Sequence, residues 1–480
     1  MTMYDKIEPP TTGSRIRYQD GQPVVPDEPI IPFIRGDGIG ADIWPATQRV
    51  LDAAVAAAYG DRRRIRWFQV FAGSEACDRY GAQQHLPADT RNAIRDCGIA
   101  IKGPLATPVG GGIRSLNVAL RQQNDLYACV RPSRHYPGVP SPHKYPERLD
   151  AIVYRENTED LYLGVEWAQG SEVGSELIRQ LNESLIPATA EQQGLQIPPD
   201  AGIGIKPISK TGSQRLVRRA IRHAQQLPPG KRTVTLVHKG NIMKYTEGAF
   251  RDWGYELATT EFRHACVTER ESWILGNQEA DPELSVAGNA RQLEPGFDVL
   301  PAQQRDACAR EVRAVLDAIG ETHGGGQWRD KVLVNDRIAD SAFQQIQTRP
   351  EAYSILATTN LNGDYLSDAA TALVGGLGMG PGANIGDRCA IFEATHGTAP
   401  RHAGRDRANP SSLILSGAMM LEFLGWQEAA NAIHRGVGSA IAAREVTYDL
   451  ARLMEPPVEP PLSCSAFAEA IAGHFEAGNG

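Results

Sequence analysis

Two aspartates four residues apart, Asp364 and Asp368 in Asn360-Leu361-Asn362-Gly363-Asp364-Tyr365-Leu366-Ser367-Asp368, are the most chemically suggestive pair in the chain. On a helix that spacing stacks both carboxylates on one face, one turn apart. Two like charges held so close repel unless a cation sits between them. Hard oxygen ligands without nearby His or Cys suit Mg2+ or Mn2+. Asp340, which closes Asn335-Asp336-Arg337-Ile338-Ala339-Asp340, is a third candidate ligand. The plainer reading is a helix N-terminus decorated with acids, which the helix dipole favours.

The opposite pole is basic. Between 110 and 155 the sequence places Arg114, Ser115, Asn117 and Arg121 around an expected helix start, followed by Arg131, Arg134 and Arg155. A guanidinium offers a planar fork of donors that matches a carboxylate two bonds at a time. Forks converging inside a net-acidic protein need an anionic ligand to balance them; the alternative is solvated surface arginines in ion pairs worth ~0–1 kcal/mol each. Arginine forks facing a carboxylate-held divalent ion describe a site for a small polyanion. Acid/base candidates are Tyr162, in Tyr154-Arg155-Glu156-Asn157-Thr158-Glu159-Asp160-Leu161-Tyr162, and Lys239, in Leu236-Val237-His238-Lys239-Gly240-Asn241. Each follows a strand-like run, where α/β folds expose reactive side chains. A Tyr or Lys taken alone is otherwise packing or surface.

Such a site needs strands and helices to hold it. Ile30-Ile31-Pro32-Phe33-Ile34, the glycine turn Gly36-Asp37-Gly38-Ile39-Gly40 and a helix through Leu51 to Ala58 form the strand, turn and helix that open an α/β domain. Further strands are expected at Gly98 to Ile101, Ala151 to Tyr154, Thr233 to His238, Val332 to Val334 and Ile355 to Thr358. Helical spacing runs over Glu172 to Leu181, with Val173, Leu177, Ile178 and Leu181 as its apolar positions, over Gln214 to Ala224, and over Ser411 to Leu424. Asn409-Pro410 reads as an N-cap followed by proline in the first turn of that last helix. Neither Gly36 to Gly40 nor Gly375 to Gly382 has the spacing of a dinucleotide fingerprint, so a Rossmann unit is excluded; the first cluster reads as a turn that needs positive φ. Residues 261–330 are charge-rich and broken by Gly324-Gly325-Gly326. One amphipathic face there carries Cys308, Val312, Leu316 and Ile319, so this stretch reads as an inserted surface element.

The 480 residues are 41% hydrophobic and 22% charged, the balance of an ordinary globular protein of two or three domains. Lys plus Arg number 49 against 57 Asp plus Glu, a net charge of −8, which argues against a phosphate-grasping nucleic-acid binder. Seven scattered cysteines lack metal spacing and suggest buried free thiols in a reducing compartment. The polar start and the absence of a ~20-residue apolar run point to a cytoplasmic protein without membrane contact.

Ten strings, IPFIRGDGIG, KGPLATPVGGGIRSLNVALRQ, YRENTEDLYLG, KPISKTGSQRLVRRA, VTLVHKGNIMKYTEGAFRDWGYELA, NDRIAD, NLNGDYLSDAA, GPGANIGD, FEATHGTAP and TYDLARLM, run in order through the chain. Together they resemble the β-decarboxylating dehydrogenase family, in particular its bacterial NADP-dependent isocitrate dehydrogenases. The resemblance implies a three-layer α/β fold of the isocitrate/isopropylmalate dehydrogenase kind, not a Rossmann fold. A large domain would comprise 1–126 and 375–480 and a small domain 127–159 and 212–374, the latter with the insertion. A clasp at 160–211 would dimerise with its twin. Ser115, Asn117, Arg121, Arg131 and Arg155 would hold the isocitrate carboxylates. Asp340, Asp364 and Asp368 would bind Mg2+ or Mn2+. Lys239 would serve the proton of the substrate hydroxyl, and Tyr162 would protonate the carbon that CO2 leaves. Lys239, Asn241 and Asp340 would reach the site from the partner subunit of a homodimer.

The same resemblance places NADP against Thr107, His396, Gly397, Thr398, Ala399, Pro400, Arg401, His402, Asn409, Tyr448 and Arg452. A 2′-phosphate brings about −1.5 to −2 charge, and Arg401, His402, Tyr448 and Arg452 suit it better than they suit a free ribose hydroxyl. Two positions depart from the family pattern: Arg401-His402 stands where Lys-Tyr is common, and Ala106 where Thr is usual. A sister dehydrogenase acting on isopropylmalate, homoisocitrate or tartrate, and a catalytically silent regulatory subunit, are the competing readings. The first would want an apolar wall where Ser115 and Asn117 stand; the second would have lost the metal acids, Tyr or Lys.

Overall fold

The computed structural model describes residues 4–19, 21–106, 115–189, 192 and 194–475. Thr107, Arg114 and the glycines at 110–112 lie outside the described residues.

Eleven segments form one mixed sheet among the described residues: β1 (Ile30–Ile34), β2 (Arg66–Gln69), β3 (Ile99–Lys102), β4 (Ala128–Arg134), β5 (Asp150–Glu156), β6 (Thr233–His238), β7 (Cys266–Thr268), β8 (Val332–Ile338), β9 (Ile355–Thr358), β10 (Pro381–Ile385) and β11 (Ala390–Ala394). Their spatial order is β7-β8-β6-β9-β5-β4-β10-β11-β3-β1-β2, an open sheet and not a closed barrel. The block β7-β8-β6-β9-β5 is parallel throughout, and so is β11-β3-β1-β2. Antiparallel β4 and β10 form the seam between them. Parallel strands covered by helices on both faces read as unbroken apolar runs; β1, β3 and β11 are buried along their whole length.

Gly36 and Gly38 take φ of +90° and +59°, as the glycine turn requires. Behind it the helix Gly40–Tyr59 packs on Cys464–Gly473 and Gln427–Ala442, which joins the two ends of the chain in one body. Trp44 of that helix stacks on Phe33 of β1 with ring centroids 4.4 Å apart. The helix Ser411–Phe423 begins one residue later than its sequence signals imply. Pro410 takes the N-cap position, and Asn409 Oδ1 accepts from the Ser411 amide at 2.9 Å.

Three differences from the sequence reading have physical causes. First, β4, which carries Arg131 and Arg134 and was not among the expected strands, pairs on both sides along the seam. Second, β10 and β11 are disguised by glycine and by the polar residues Asn384 and Glu393, which face buried partners. Third, the stretch 261–330 is more than a surface addition, because it begins with β7, which closes one edge of the sheet. Its helices Glu269–Ala280, Val286–Leu293 and Ala302–His323 then bury Cys308, Val312 and Ile319, the face expected from the spacing.

The segment 160–211 holds a small antiparallel pair, Glu166–Trp167 with Ile203–Gly204, and the helix Glu172–Gln180, capped by Ser171. Its expected apolar stripe is half covered: Ile178 is buried, whereas Val173 is 61% exposed. All seven cysteines are free, six of them buried and Cys77 half-buried. No helix among the described residues is long and apolar enough to cross a membrane.

Candidate active site

A cavity of about 280 Å3 opens at the seam of the sheet. Arg131 from β4, Arg155 from β5, Lys102 from β3 and Glu393 from β11 line it from the strands. Ser115, Asn117 and Arg121 reach it from the start and body of the helix Leu116–Gln123. Asp364 and Asp368 come from the helix Asn360–Ala372, and Tyr162 from the short turn of helix Asp160–Leu163.

The arginines of the cavity are not surface groups. Arg121, Arg131 and Arg155 are 9%, 8% and 3% exposed, so the solvated reading does not hold for them, whereas Arg134 is exposed and pairs with Asp150. Their counter-charge was missed from sequence. Glu393 is fully enclosed and takes Lys102 Nζ at 2.7 Å, Arg121 Nη2 at 2.9 Å and Arg131 Nη2 at 3.3 Å, with the Asn384 amide on the same oxygen as the arginines at 2.8 Å. Burial alone would raise the Glu393 pKa; the three cations more than reverse that and hold the carboxyl well below its usual range. With Arg155, Asp364 and Asp368 included, four cations and three carboxylates line the cavity, a formal excess of one positive charge. Lys102 follows the expected strand Gly98 to Ile101 and Glu393 lies in the string FEATHGTAP, yet neither was singled out.

Polar atoms without partners face the same space. Asn117 Oδ1, Arg121 Nε and His396 Nε2 are buried and have no hydrogen-bond partner among the described residues. Ser115 sits at the N-cap position of its helix, makes no capping bond and lines the cavity. Arg121 Nε is a donor that suits a carboxylate, whereas Asn117 Oδ1 is an acceptor and His396 Nε2 accepts while its Nδ1 donates to the Gly397 carbonyl at 2.9 Å, so these two suit a hydroxyl or amide donor.

Asp364 stands between charge and phenol. One oxygen pairs with Arg155 and the other accepts from the Tyr162 hydroxyl, while the Arg155 guanidinium lies 4.7 Å from the centre of the Tyr162 ring. Gly363 permits this approach, since a Cβ there would meet Arg155 Cβ and Cγ at 2.7 Å. Burial, then the bond to Asp364, pushes the Tyr162 hydroxyl up to about 12, so it holds its proton at neutral pH. Asp368 is raised by burial and then by repulsion from Asp364, against the pull of Arg131 and Arg155. Asp364 and Asp368, one helical turn apart, form a donor pair that suits a hard divalent ion, and each keeps unused lone pairs.

Lys239 and Asp340 lie apart from this cavity. They pair with one another at 2.5 Å, on the residues that follow β6 and β8, with the Asp340 side chain 71% exposed. Asn241 beside them is also exposed. Among the described residues of one chain no three His, Cys, Asp or Glu side chains gather closely enough to hold a metal. The structure therefore brings Asp364 and Asp368 together and leaves Asp340, Lys239 and Asn241 as a separate outward-facing group.

A second cavity of about 240 Å3 shares His396 and Gly397 with the first. Ala399, His402, Asn409 and Tyr448 line it, together with Asp449, which the sequence reading did not single out. Asp449 takes Asn409 Nδ2 at 3.0 Å and Thr447 Oγ1 at 2.6 Å and so fixes the floor of the pocket. His402 stacks on Tyr448 with centroids 5.6 Å apart, and Arg407 covers that ring at 4.2 Å. The loop is anchored from below, as the Ile39 amide donates to the Thr398 carbonyl at 2.9 Å and any Cβ on Gly38 would collide with that oxygen. Arg401 and Arg452 are exposed beside the pocket, and Pro400 opens the turn that carries Arg401.

Residues 30–471 match the family model described as isocitrate/isopropylmalate dehydrogenase. The chain is 71% identical to a protein of Nostoc sp. named isocitrate dehydrogenase [NADP], over 98% of this chain and all of that one. It is 68% identical to the protein of the same name from Synechocystis sp., over 99% of this chain. Among solved structures, the isocitrate dehydrogenase from Methylococcus capsulatus superposes with a TM-score of 0.66 at 32% identity, covering 93% of this chain and 99% of that one.

Proposed function

Because the chain belongs to the isocitrate/isopropylmalate dehydrogenase family, we infer from its similarity to NADP-dependent isocitrate dehydrogenases that it oxidises isocitrate with NADP+ and releases CO2 and 2-oxoglutarate. The reaction depends on Mg2+ or Mn2+. The observation that carries this reading is the cavity at the seam, where buried Arg121, Arg131 and Arg155 face Asp364 and Asp368 across about 280 Å3.

Arg121, Arg131 and Arg155, with Ser115 and Asn117, bind and orient the substrate carboxylates. Asp364 and Asp368 of one subunit and Asp340 of the partner subunit hold the ion. When bound, the ion supplies Lewis-acid polarisation of the substrate oxygens, and the nicotinamide accepts the hydride. Lys239 of the partner subunit removes the proton from the substrate hydroxyl, and Asn241 beside it binds the substrate. Tyr162 delivers its proton to the carbon that the departing carboxylate leaves, and its raised proton affinity suits a donor. His396 to His402, Asn409, Tyr448 and Arg452 hold the cofactor, with Arg401, His402 and Arg452 toward the 2′-phosphate; Thr107 belongs to the nicotinamide end.

The shared site calls for a homodimer. Its support is the placement of Lys239 and Asp340 outside their own cavity and the uncovered apolar residues Val173, Leu185, Leu195 and Ile242, which are 61%, 58%, 62% and 68% exposed. The body formed by 1–126 and 375–480 acts as the large domain, 127–159 and 212–374 as the small one, and 160–211 as the clasp. Polar Ser115 and Asn117 favour a third carboxylate over the isopropyl group of a sister substrate. Tyr162, Lys239 and all three aspartates are present, which a silent subunit would not need. An absorbance assay for reduced nicotinamide with isocitrate, isopropylmalate, homoisocitrate and tartrate, each with Mg2+ and either NADP+ or NAD+, tests the reading. Rapid turnover with isocitrate and NADP+ alone supports it, and preference for another acid overturns it.

A further inference from the structure

Glu247 lies in the turn Lys244–Gly248 that leads into the helix Ala249–Thr260 and is completely enclosed. Nothing in the reaction above uses it. Yet four donors converge on its carboxylate. Oε2 accepts the backbone amide of Lys239 at 3.0 Å and Asn362 Nδ2 at 2.9 Å. Oε1 accepts Thr359 Oγ1 at 3.0 Å and pairs with Lys206 Nζ at 2.9 Å. Thr359 and Asn362 begin the helix that carries Asp364 and Asp368.

Lys206 extends the network. It also pairs with Asp160, which is 1% exposed and held at φ +68°. Asp160 Oδ2 accepts the Leu361 amide at 2.9 Å, again at the start of the aspartate helix, and Asp160 opens the turn that presents Tyr162. The buried carboxylates of Glu247 and Asp160, joined by half-buried Lys206, therefore grip three things at once: the backbone at Lys239, the N-terminus of the aspartate helix, and the Tyr162 turn. A buried carboxylate is costly unless it is fully satisfied; here all its partners are donors that belong to reactive segments.

We propose that Glu247 is a positioning residue that couples the two active sites of the dimer, tying the Lys239 loop that serves the neighbouring site to the aspartate helix of its own. The proposal rests on the shared-site reading above. Displacement of either segment in one subunit is transmitted through one rigid carboxylate to the other, so each subunit's metal site and the lysine it lends are set together.

Hybrid dimers separate the two arms. A Lys239→Met subunit paired with an Asp364→Asn subunit leaves one complete site, made of the first subunit's aspartates and the second subunit's lysine. If the hybrid shows no more activity than either inactive parent, the shared-site reading fails, and this proposal with it. With complementation established, Glu247→Gln is placed in one subunit at a time; its amide turns two N–H donors toward donors and breaks one end of the network. In the lysine-lending subunit it is expected to lower kcat by about tenfold or more while Mn2+ affinity stays unchanged. In the aspartate-bearing subunit it is expected to weaken Mn2+ binding about tenfold, read without turnover from the paramagnetic resonance of the free ion. Thr359→Val, which removes only the helix arm and keeps the side-chain shape, is expected to weaken Mn2+ binding in the aspartate-bearing subunit and, transmitted through Glu247, to lower kcat several-fold in the lysine-lending one; it decides the matter if Glu247→Gln hybrids do not assemble. An effect confined to one placement of Glu247→Gln, or a Thr359→Val variant with unchanged Mn2+ affinity, overturns the coupling.

Discussion

Arg155 of β5 and Asp364 of the helix that follows β9 form an ion pair beside the seam of the sheet, with the arginine side chain only 3% exposed. The carboxylate proposed to hold the metal is thus neutralised by the guanidinium proposed to hold the substrate. An incoming carboxylate competes with Asp364 for that guanidinium, and an incoming cation competes with Arg155 for that carboxylate. Substrate and metal ion each release what the other needs, so their binding is expected to be mutually reinforcing. Mn2+ affinity measured with and without isocitrate, in the absence of cofactor, checks this; equal affinities would sink it.

Asp364→Asn removes the charge from this junction. Turnover is expected to fall by at least about 10²-fold, with Mn2+ binding weakened in parallel, because an amide is a poorer ligand for a hard ion and carries no charge. Retention of normal Mn2+-dependent kcat would remove Asp364 from the metal set.

Tyr162→Phe leaves the ring under Arg155 and deletes only the hydroxyl. The expected outcome is a loss of about 10²–10⁴ in kcat with KM for isocitrate within a few-fold of the unsubstituted enzyme. A large KM effect with kcat intact would make Tyr162 a binding group.

Glu393→Gln leaves Lys102, Arg121 and Arg131 without their shared anion. Stranding buried charge in this way is expected to destabilise the fold by about 3–5 kcal/mol at pH 7, seen as a lowered calorimetric Tm. The folded pKa of Glu393 is depressed, so its contribution is present above the unfolded value of about 4.3 and is lost as the pH falls toward the folded one. The difference in Tm between the two proteins should therefore shrink on acidification below about pH 4. A gap that widens there would contradict the assignment.

Arg452→Ala tests cofactor selection. Loss of one charge-assisted bond to the 2′-phosphate corresponds to about 1.5–3 kcal/mol, or roughly 10–100-fold in KM for NADP+, with KM for NAD+ nearly unchanged. Equal effects on both cofactors would take Arg452 out of the phosphate pocket.

Much of the site was legible in the sequence because its chemistry is local. The spacing of Asp364 and Asp368 alone sets them on one helical face, and Ser115, Asn117 and Arg121 share one short helix. Strands β1, β6 and β9 announced themselves as apolar runs. The residues that escaped are satisfied from far along the chain. Glu393 acquires its meaning only when β11 lies beside β3 and brings Lys102 within 2.7 Å. Glu247 acquires its own only when its turn meets the start of the aspartate helix. Likewise β4 is a strand because two neighbours pair with it, which no local preference for arginine could foretell.

The three-residue strand β7 has a consequence for how the protein behaves in a crowded solution. An open sheet ends in unpaired amides and carbonyls that invite a stray strand from another molecule, and short outer strands are one way natural sheets refuse that invitation. At this border the ladder stops after Cys266–Thr268, and the chain turns at once into a helix begun by Thr268 and Glu271 in a reciprocal cap. The charge-rich stretch that looked like ornament is thus a hem, which keeps this border of a wide sheet from fraying into aggregates.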